Sequence, residues 1–480
     1  MLYPRSPDAR IPGARSSIVG WHQRGAVAIA LGISVVTGCA TLSPDGGFAD
    51  VQRIVKERSF QDARWPRNLA ESDAIQASVR ETLARPISVD DATRIALINN
   101  RELQSTYAEL GVADAELVAA SWPRNPGFSF SHLQGGGDKE IERGLTVDLV
   151  RILTIPLSMR VDRERLEMTR LSIAAEVLDV LAQTRRAYFS AIAAEQASSY
   201  MDQVKAAAEA GAELARRMSK AGNWSKLDQA REQIFYADAT AQVARMRQAA
   251  VAQRERLTRL LGLSGSDIRF ELPHRLPDLP DRIADGSDTE LRALSARLDV
   301  QILKKDLESL ATSLGLTKAT RFINVLELGP KSKSETGRAR KDGYEVSIEI
   351  PLFDWTGAKI AKAEYIYMQR VSLAAQLAID AQSQVRESYA AYRTNYALAR
   401  HYRDEVVPLR KRISDENQLR YNGMLISVFE LLADAREQVI SVNASIEALR
   451  DFWLAETDLE SAMTGSAAAL SRTGRNFNQQ

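Results

Sequence analysis

The spacing of apolar residues switches between two periods along this chain, and it does so twice. Val177, Leu181, Tyr188 and Ile192 fall at i, i+4, i+11 and i+15, and Val385, Tyr389, Tyr392 and Tyr396 at i, i+4, i+7 and i+11. Both are stripes down one face of an amphipathic helix. Ahead of each stripe the period drops to two, as in a half-buried strand. Residues 128–134 set Phe128, Phe130 and His132 against Ser129 and Ser131, and residues 144–151 set Leu145, Val147 and Leu149 against Thr146 and Asp148. Between them Gly135, Gly136, Gly137 and Asp138 read as a turn. In the second copy, residues 321–328 and 344–350 play the same part around a polar, basic loop at 329–343. There Tyr344, Val346, Ile348 and Ile350 face one way, and Glu345, Ser347 and Glu349 the other. Each strand pair ends at an Ile-Pro-Leu corner, residues 155–157 and 350–352.

The helical runs that follow are long. No proline interrupts 157–222, and only Pro408 interrupts 356–423. Sixty-odd residues at about 1.5 Å each give roughly 90–100 Å. So long a helix with so narrow a stripe needs neighbours in a coiled-coil-like sheath. Each run turns at a glycine, Gly222 or Gly423, and a second helix returns to Gly262 or Gly465. Ala-Arg-Glu-Gln recurs at 230–233 and 435–438, which makes the second turn four residues longer when counted from its glycine. A helix opening at Ser88, with Asp90 and Asp91 in its first turn, runs to Trp122, where Pro123 and Pro126 stop it. The pattern predicts a mainly α chain with a small β part and an internal two-fold repeat. Its units are 87–263 and 288–465, joined by a linker at 264–287 that carries Pro273, Pro277 and Pro280, with a disordered tail at 466–480.

The first 38 residues read as a signal peptide. Arg5, Arg10, Arg15 and Arg24 precede an apolar segment at 25–36, shorter than the ~20 residues that span a bilayer. It ends in Val36, Thr37, Gly38 and Cys39, which resembles the bacterial lipobox, and Cys39 is the one cysteine of the chain. Cys39 is therefore expected to carry lipid, with residues 39–86 as the tether. Ala40 favours outer-membrane sorting over retention in the inner membrane. A single cysteine leaves no disulfide within the chain and no cysteine metal site. The formal charge of +1 includes +3 from residues 1–38 (four Arg, one Asp), so the remainder is near −2, no footprint for nucleic acid. No later apolar stretch reaches membrane-helix length, so any crossing of a bilayer must be by a closed barrel. The strands fit such a wall, and they fit equally a half-buried soluble hairpin. His132, His274 and His401 are scattered, and no HExxH, P-loop or GxSxG run occurs. No enzyme activity and no cofactor are expected.

These residues resemble the TolC family of outer-membrane efflux proteins, lipoprotein branch. The resemblance covers about 87–465. It rests on Ile-Pro-Leu-Phe-Asp-Trp-Thr-Gly at 350–357, on the paired glycine turns, and on the run 88–97 followed by Asn99 and Asn100. The first copy departs, with Ser158 and Met159 where the family element has Phe-Asp. The resemblance implies a homotrimer. Four strands per chain would make a twelve-stranded outer-membrane barrel, continued by a periplasmic helical barrel of about 100 Å. It implies a passive exit duct for a tripartite efflux system, with an inner-membrane pump (RND or similar) and a periplasmic membrane-fusion adaptor as partners and outer-membrane lipid around the strands. By position the adaptor-docking tips are Gly222, Asn223, Trp224 and Asn422, Gly423, Met424. Asp434, with Asp228 as its counterpart, sits where the family places acids of the periplasmic aperture; both positions also suit ordinary first-turn acids. The phrase at 421–432 resembles a subgroup associated with metal, particularly copper, resistance, so metal or drug efflux is expected. The rival reading is a non-conducting, lipid-anchored periplasmic scaffold.

Overall fold

The computed structural model describes residues 42–283, 289–319, 325–349 and 357–465. Cys39, the second Ile-Pro-Leu corner and the tail lie outside them.

Two helices precede the first repeat, α1 (Phe48–Ser59) and α2 (Leu69–Leu83). The expected tether is thus folded. Phe48, Val51 and Val55 are buried, and Phe48 packs edge-on against Tyr107 at 4.8 Å. Phe48, Val51 and Val55 fall at i, i+3 and i+7, the spacing of one helix face, and they complete the core of the first repeat.

The predicted helix at 88–122 is two helices, α3 (Val89–Asn99) and α4 (Arg101–Ser121). Ser88 starts the first with a reciprocal capping box to Asp91. Asn100 both ends α3 and caps α4 by accepting from Leu103 N–H at 3.1 Å. Its amide N–H groups donate to the Leu260 carbonyl, and those of Asn99 to the Leu261 and Gly262 carbonyls. The asparagine pair therefore closes the far end of the first returning helix.

Strands β1 (Gly127–Gly135) and β2 (Asp138–Asp148) follow, then α5 (Leu149–Lys220) and its return α6 (Lys226–Leu260). The first Ile-Pro-Leu is no corner: Pro156 lies inside α5. The chain turns earlier because the Asp148 carboxylate accepts from Arg151 N–H at 3.0 Å, and the Arg151 guanidinium donates to the Ala120 carbonyl at 3.1 Å. Helix is already set when proline arrives, and one missing backbone bond is a small part of 72 residues.

The second repeat runs α7 (Thr289–Ala296), α8 (Leu298–Ala319), β3 (Leu326–Glu335), β4 (Lys341–Ile348), α9 (Gly357–His401), α10 (Val407–Asn422) and α11 (Val428–Thr464). A π turn at Tyr402–Val406 joins α9 to α10, just ahead of Pro408. All four strands pair antiparallel in the order β1-β2-β3-β4. Both hairpins are longer than the alternation suggested: β2 already begins at Asp138, where a turn is expected, and 329–335 and 341–343, expected as loop, are strand.

The main core gathers α1, α3, α4 and the middle of α5, with Val177, Leu181, Tyr188 and Ile192 all buried. The Tyr188 hydroxyl donates to the Ile87 carbonyl at 2.9 Å, and burial pushes its pKa up to about 12. A second core joins Tyr392, Tyr396 and Phe452, and Phe189 stacks on Trp453 at 5.2 Å between the two repeats. The expected linker is strapped down. Tyr396 donates to the Pro280 and Asp281 carbonyls and Trp453 to that of Pro277, while Phe270 and Leu276 are buried.

Candidate membrane sheet and hairpin tips

The sheet has two unlike faces. Strand register places Val147, Leu328 and Val346 in one row, with Phe128 beside Leu145 and Pro330 beside Tyr344 on the same side. These side chains meet water rather than core: Phe128 is 71% and Tyr344 80% exposed. The opposite face carries Glu140, Glu142, Lys331, Lys333, Glu335 and Glu345. Lys331 lies 3.4 Å from both Glu142 and Glu345, and Lys333 lies 3.2 Å from Glu335 and 3.5 Å from Glu142. The charged halves hold as strand because their neutralising partners stand on the neighbouring strand. Strands of 8 to 11 residues match the ~9–11 of a tilted transmembrane strand. An apolar outer face and a charged inner face are the pattern of a barrel wall. Among the described residues β1 and β4 each leave one edge unpaired, and four strands are too few to close, the smallest such barrels having ~8. Among the described residues no helix is long and apolar enough to cross a membrane.

At the far end, α5 and α10 finish in the same turn. Gly222 stands at φ 78°, and Asn223 N–H donates to the Met218 carbonyl at 2.9 Å. In the second turn Gly423 stands at φ −81°. Met424 takes the left-handed conformation at φ 59°, and Leu425 N–H donates to the Arg420 carbonyl at 2.8 Å. These are two Schellman closures, each with an N-cap serine three residues after the left-handed residue, Ser225 and Ser427. The counterpart of Gly222 is therefore Met424, not Gly423, and the two turns have equal length. Ala-Arg-Glu-Gln at 230–233 and 435–438 is out of structural register. Asn223 and Asn422 are exposed, Trp224 is half-buried, and Met424 is 93% exposed.

The same register pairs Asp228 with Glu430 and Glu232 with Asp434. Asp228 serves its cap: its carboxylate takes the Ser225 hydroxyl at 2.6 Å and lies 3.3 Å from Arg231. Asp434 is buried, and so is Glu232, whose carboxylate accepts from Arg436 at 2.8 Å. The Arg436 guanidinium also lies 4.3 Å from the centre of the Phe235 ring. Sequence reasoning missed Glu232 and Arg436. The signal that would have found them is the pair of Ser-x-x-acid caps at 225–228 and 427–430. Nearby on α5, Arg217 and then Arg216 hold Glu213 below the usual carboxylate range.

No family model matches the sequence, and no curated protein does. Solved structures do match. CusC, described for its folding and transmembrane channel formation, aligns at TM-score 0.65 and 16% identity over 79% of this chain and 92% of its own. The outer membrane channel CmeC of Campylobacter jejuni aligns at 0.64 and 15% identity, over 80% and 88%. The fold is that of the TolC-type outer-membrane channels. The open-state channel MtrE of Neisseria gonorrhoeae agrees, at 0.63 and 18% identity over 79% and 89%. That fold comprises the four-stranded sheet and two long hairpins, here α5–α6 and α9–α11.

Proposed function

We propose that the chain is the outer-membrane channel subunit of a tripartite efflux system and acts as its passive exit duct. The carrying observation is the open four-stranded sheet, one face apolar over the half nearer the helices, where Val147, Leu328 and Val346 align, and the other face charged, mounted on hairpins of about 100 Å. In lipid both free sheet edges must find partners. Three copies give twelve strands, a number a small barrel can close with. Exposed apolar residues on the second hairpin, among them Leu398, Leu409 and Ile413, fit helical neighbours from the adjoining copies. Cys39 is the lipid anchor on this reading, residues 1–38 are removed, and 87–263 and 288–465 supply two staves per chain.

The tips Gly222, Asn223, Trp224 and Asn422, Gly423, Met424 are the surface offered to a periplasmic adaptor, which links the duct to an inner-membrane pump. Exposed Met424 and Leu425 give that surface an apolar knob. Asp434 and Asp228 are assigned to the periplasmic aperture, and Glu232 joins them as the structural counterpart of Asp434. The run 421–432 builds a tip, so it bears on partner choice. The cargo, metal ion or drug, is set by the pump that the tip accepts.

Planar-bilayer recording of the purified full chain tests the reading. Discrete conductance is expected once the tips are released. A protein that reaches the outer membrane and never conducts, whatever opens the tips, would be the lipid-anchored scaffold instead.

A further inference from the structure

The two faces of the sheet divide its charges as well as its apolar residues. The register of β1, β2 and β3 is constant along their length, so the side taken alternates strictly with residue number. All six acids of these strands, Asp138, Glu140, Glu142, Asp148, Glu327 and Glu335, fall on the inner face. The lysines there are matched: Lys331 lies 3.4 Å from Glu142, and Lys333 3.2 Å from Glu335. The outer face holds Lys139 and Arg143, on the same side of β2 as Leu145 and Val147. Both are exposed, and neither has a carboxylate partner among the described residues. The one acid in the row of Arg143, Asp342 on β4, is engaged by Arg340 at 2.8 Å. Ser332 stands opposite Arg143 and Ser334 opposite Ile141, adding two hydroxyls to the same surface. Unpaired cations beside hydroxyl donors suit a phosphate.

We infer that Arg143 and Lys139, with Ser332 and Ser334, bind the phosphate groups of lipid headgroups on the outer face of the sheet. The source follows from what shares that face. Phe130 is the direct neighbour of Arg143 on β1, and the row of Phe128, Leu145, Pro330 and Tyr344 lies one step nearer the helices. Phe128, Phe130, Leu145 and Tyr344 are all exposed, with no core over them. A soluble phosphate has no use for these side chains; a lipid lays its acyl chains along them and its phosphate on the cations. Lys139 adjoins the β1–β2 turn, at the end of the sheet away from α5. With the helices in the periplasm, that end meets the outer leaflet. An unpaired cation at the margin of a lipid-facing apolar band is costly unless an anion meets it, and headgroup phosphates supply that anion. The inference rests on the outer-membrane reading above.

The test is native mass spectrometry of the full chain in mild detergent, titrated with bisphosphorylated lipid A and, separately, with inorganic phosphate. Arg143→Gln with Lys139→Gln is expected to weaken lipid retention about tenfold or more, the loss of two cations that meet phosphate. Lys139→Gln alone, at the strand end where folding depends on it least, should still weaken retention about threefold or more. Arg143→Lys with Lys139→Arg keeps both charges and should hold lipid within about threefold of wild type. Inorganic phosphate is expected not to displace the lipid at equal concentration. Retention within twofold of wild type in both glutamine variants overturns the inference, and displacement by inorganic phosphate overturns the lipid source. Fractionation and conductance of the same preparations separate the two readings. Glutamine variants that reach the outer membrane and conduct, yet hold lipid like wild type, sink the phosphate contacts alone. A wild-type chain absent from the outer membrane sinks both.

Discussion

Gly222 and Met424 hold the same left-handed position in two equivalent turns, at φ 78° and φ 59°. One is the residue that adopts this conformation freely, and the other is not. Gly222→Ala should therefore destabilise its tip by ~1–2 kcal/mol. Gly423→Ala should do little, because its φ is ordinary and a Cβ there would meet nothing closer than 3.5 Å. Met424→Gly should tighten the second tip by up to ~1 kcal/mol. Hydrogen exchange of the tip amides reads all three. Equal effects of the two glycine substitutions would refute the register.

The Glu232–Arg436 pair joins the returning helices of the two hairpins at 2.8 Å. Removing Arg436 leaves a buried carboxylate unpaired, whereas removing both charges does not. Because Arg436 is 34% exposed, the expected coupling is that of a partly screened pair, ~1 kcal/mol. A double-mutant cycle of Arg436→Ala and Glu232→Gln, followed by denaturant unfolding, measures it. Additive effects would mean that the hairpins are held together by other contacts.

How much of this was legible in the sequence depends on where the stabilising partner sits. Val177, Leu181 and Tyr188 announce their face because their partners recur on the same helix period, and Tyr344, Val346 and Ile348 do so at period two. Lys331 and Lys333 read as a polar loop, since Glu142, which lies 3.4 Å from one and 3.5 Å from the other, stands on a strand nearly two hundred residues away in sequence. Pro156 looked like a corner because the bond that decides the turn, Arg151 to the Ala120 carbonyl, is tertiary. The match between the tips was lost for a different reason. Before the π turn, buried residues of the two copies correspond at a separation of 201, as for Thr184 with Val385 and Ala191 with Tyr392. After it, Gly222 with Met424 and Ser225 with Ser427 correspond at 202.

Outward and inward strand positions should tolerate charge differently. Val346→Arg places a cation on the apolar face, at a cost of ~2–4 kcal/mol if it lies near the bilayer midplane, and should abolish outer-membrane assembly seen by density-gradient fractionation. Ser347→Arg, on the charged face, should assemble and shift ion selectivity. If both variants assemble equally well, the sheet does not face lipid.

Glu176 is half-buried against the Thr106 hydroxyl at 2.8 Å, and burial, aided by Glu109, Glu102 and Asp179, raises its pKa above the ordinary 4.5. The folded state therefore favours the protonated acid. Its contribution is fully present below pH 4.5 and is lost as pH rises through the folded value. Glu176→Gln should raise the melting temperature at about pH 8 and lose that advantage in acid. A variant less stable than wild type at the higher pH would show that the ionised carboxylate is the stabilising form.

The π turn has a mechanical meaning. One residue added to a continuous α-helix rotates everything beyond it by about 100°, which would have swung the second tip out of phase with the first. Widening a single turn at Tyr402–Val406 absorbs that rotation locally. The second stave is thus a vernier against the first, in step at the buried positions just above the turn and advanced by one notch at the tip below it. The first stave runs through α5 unbroken. Torque applied at the tips would meet a solid rod on one side and a jointed one on the other, so an opening motion should begin in the second hairpin.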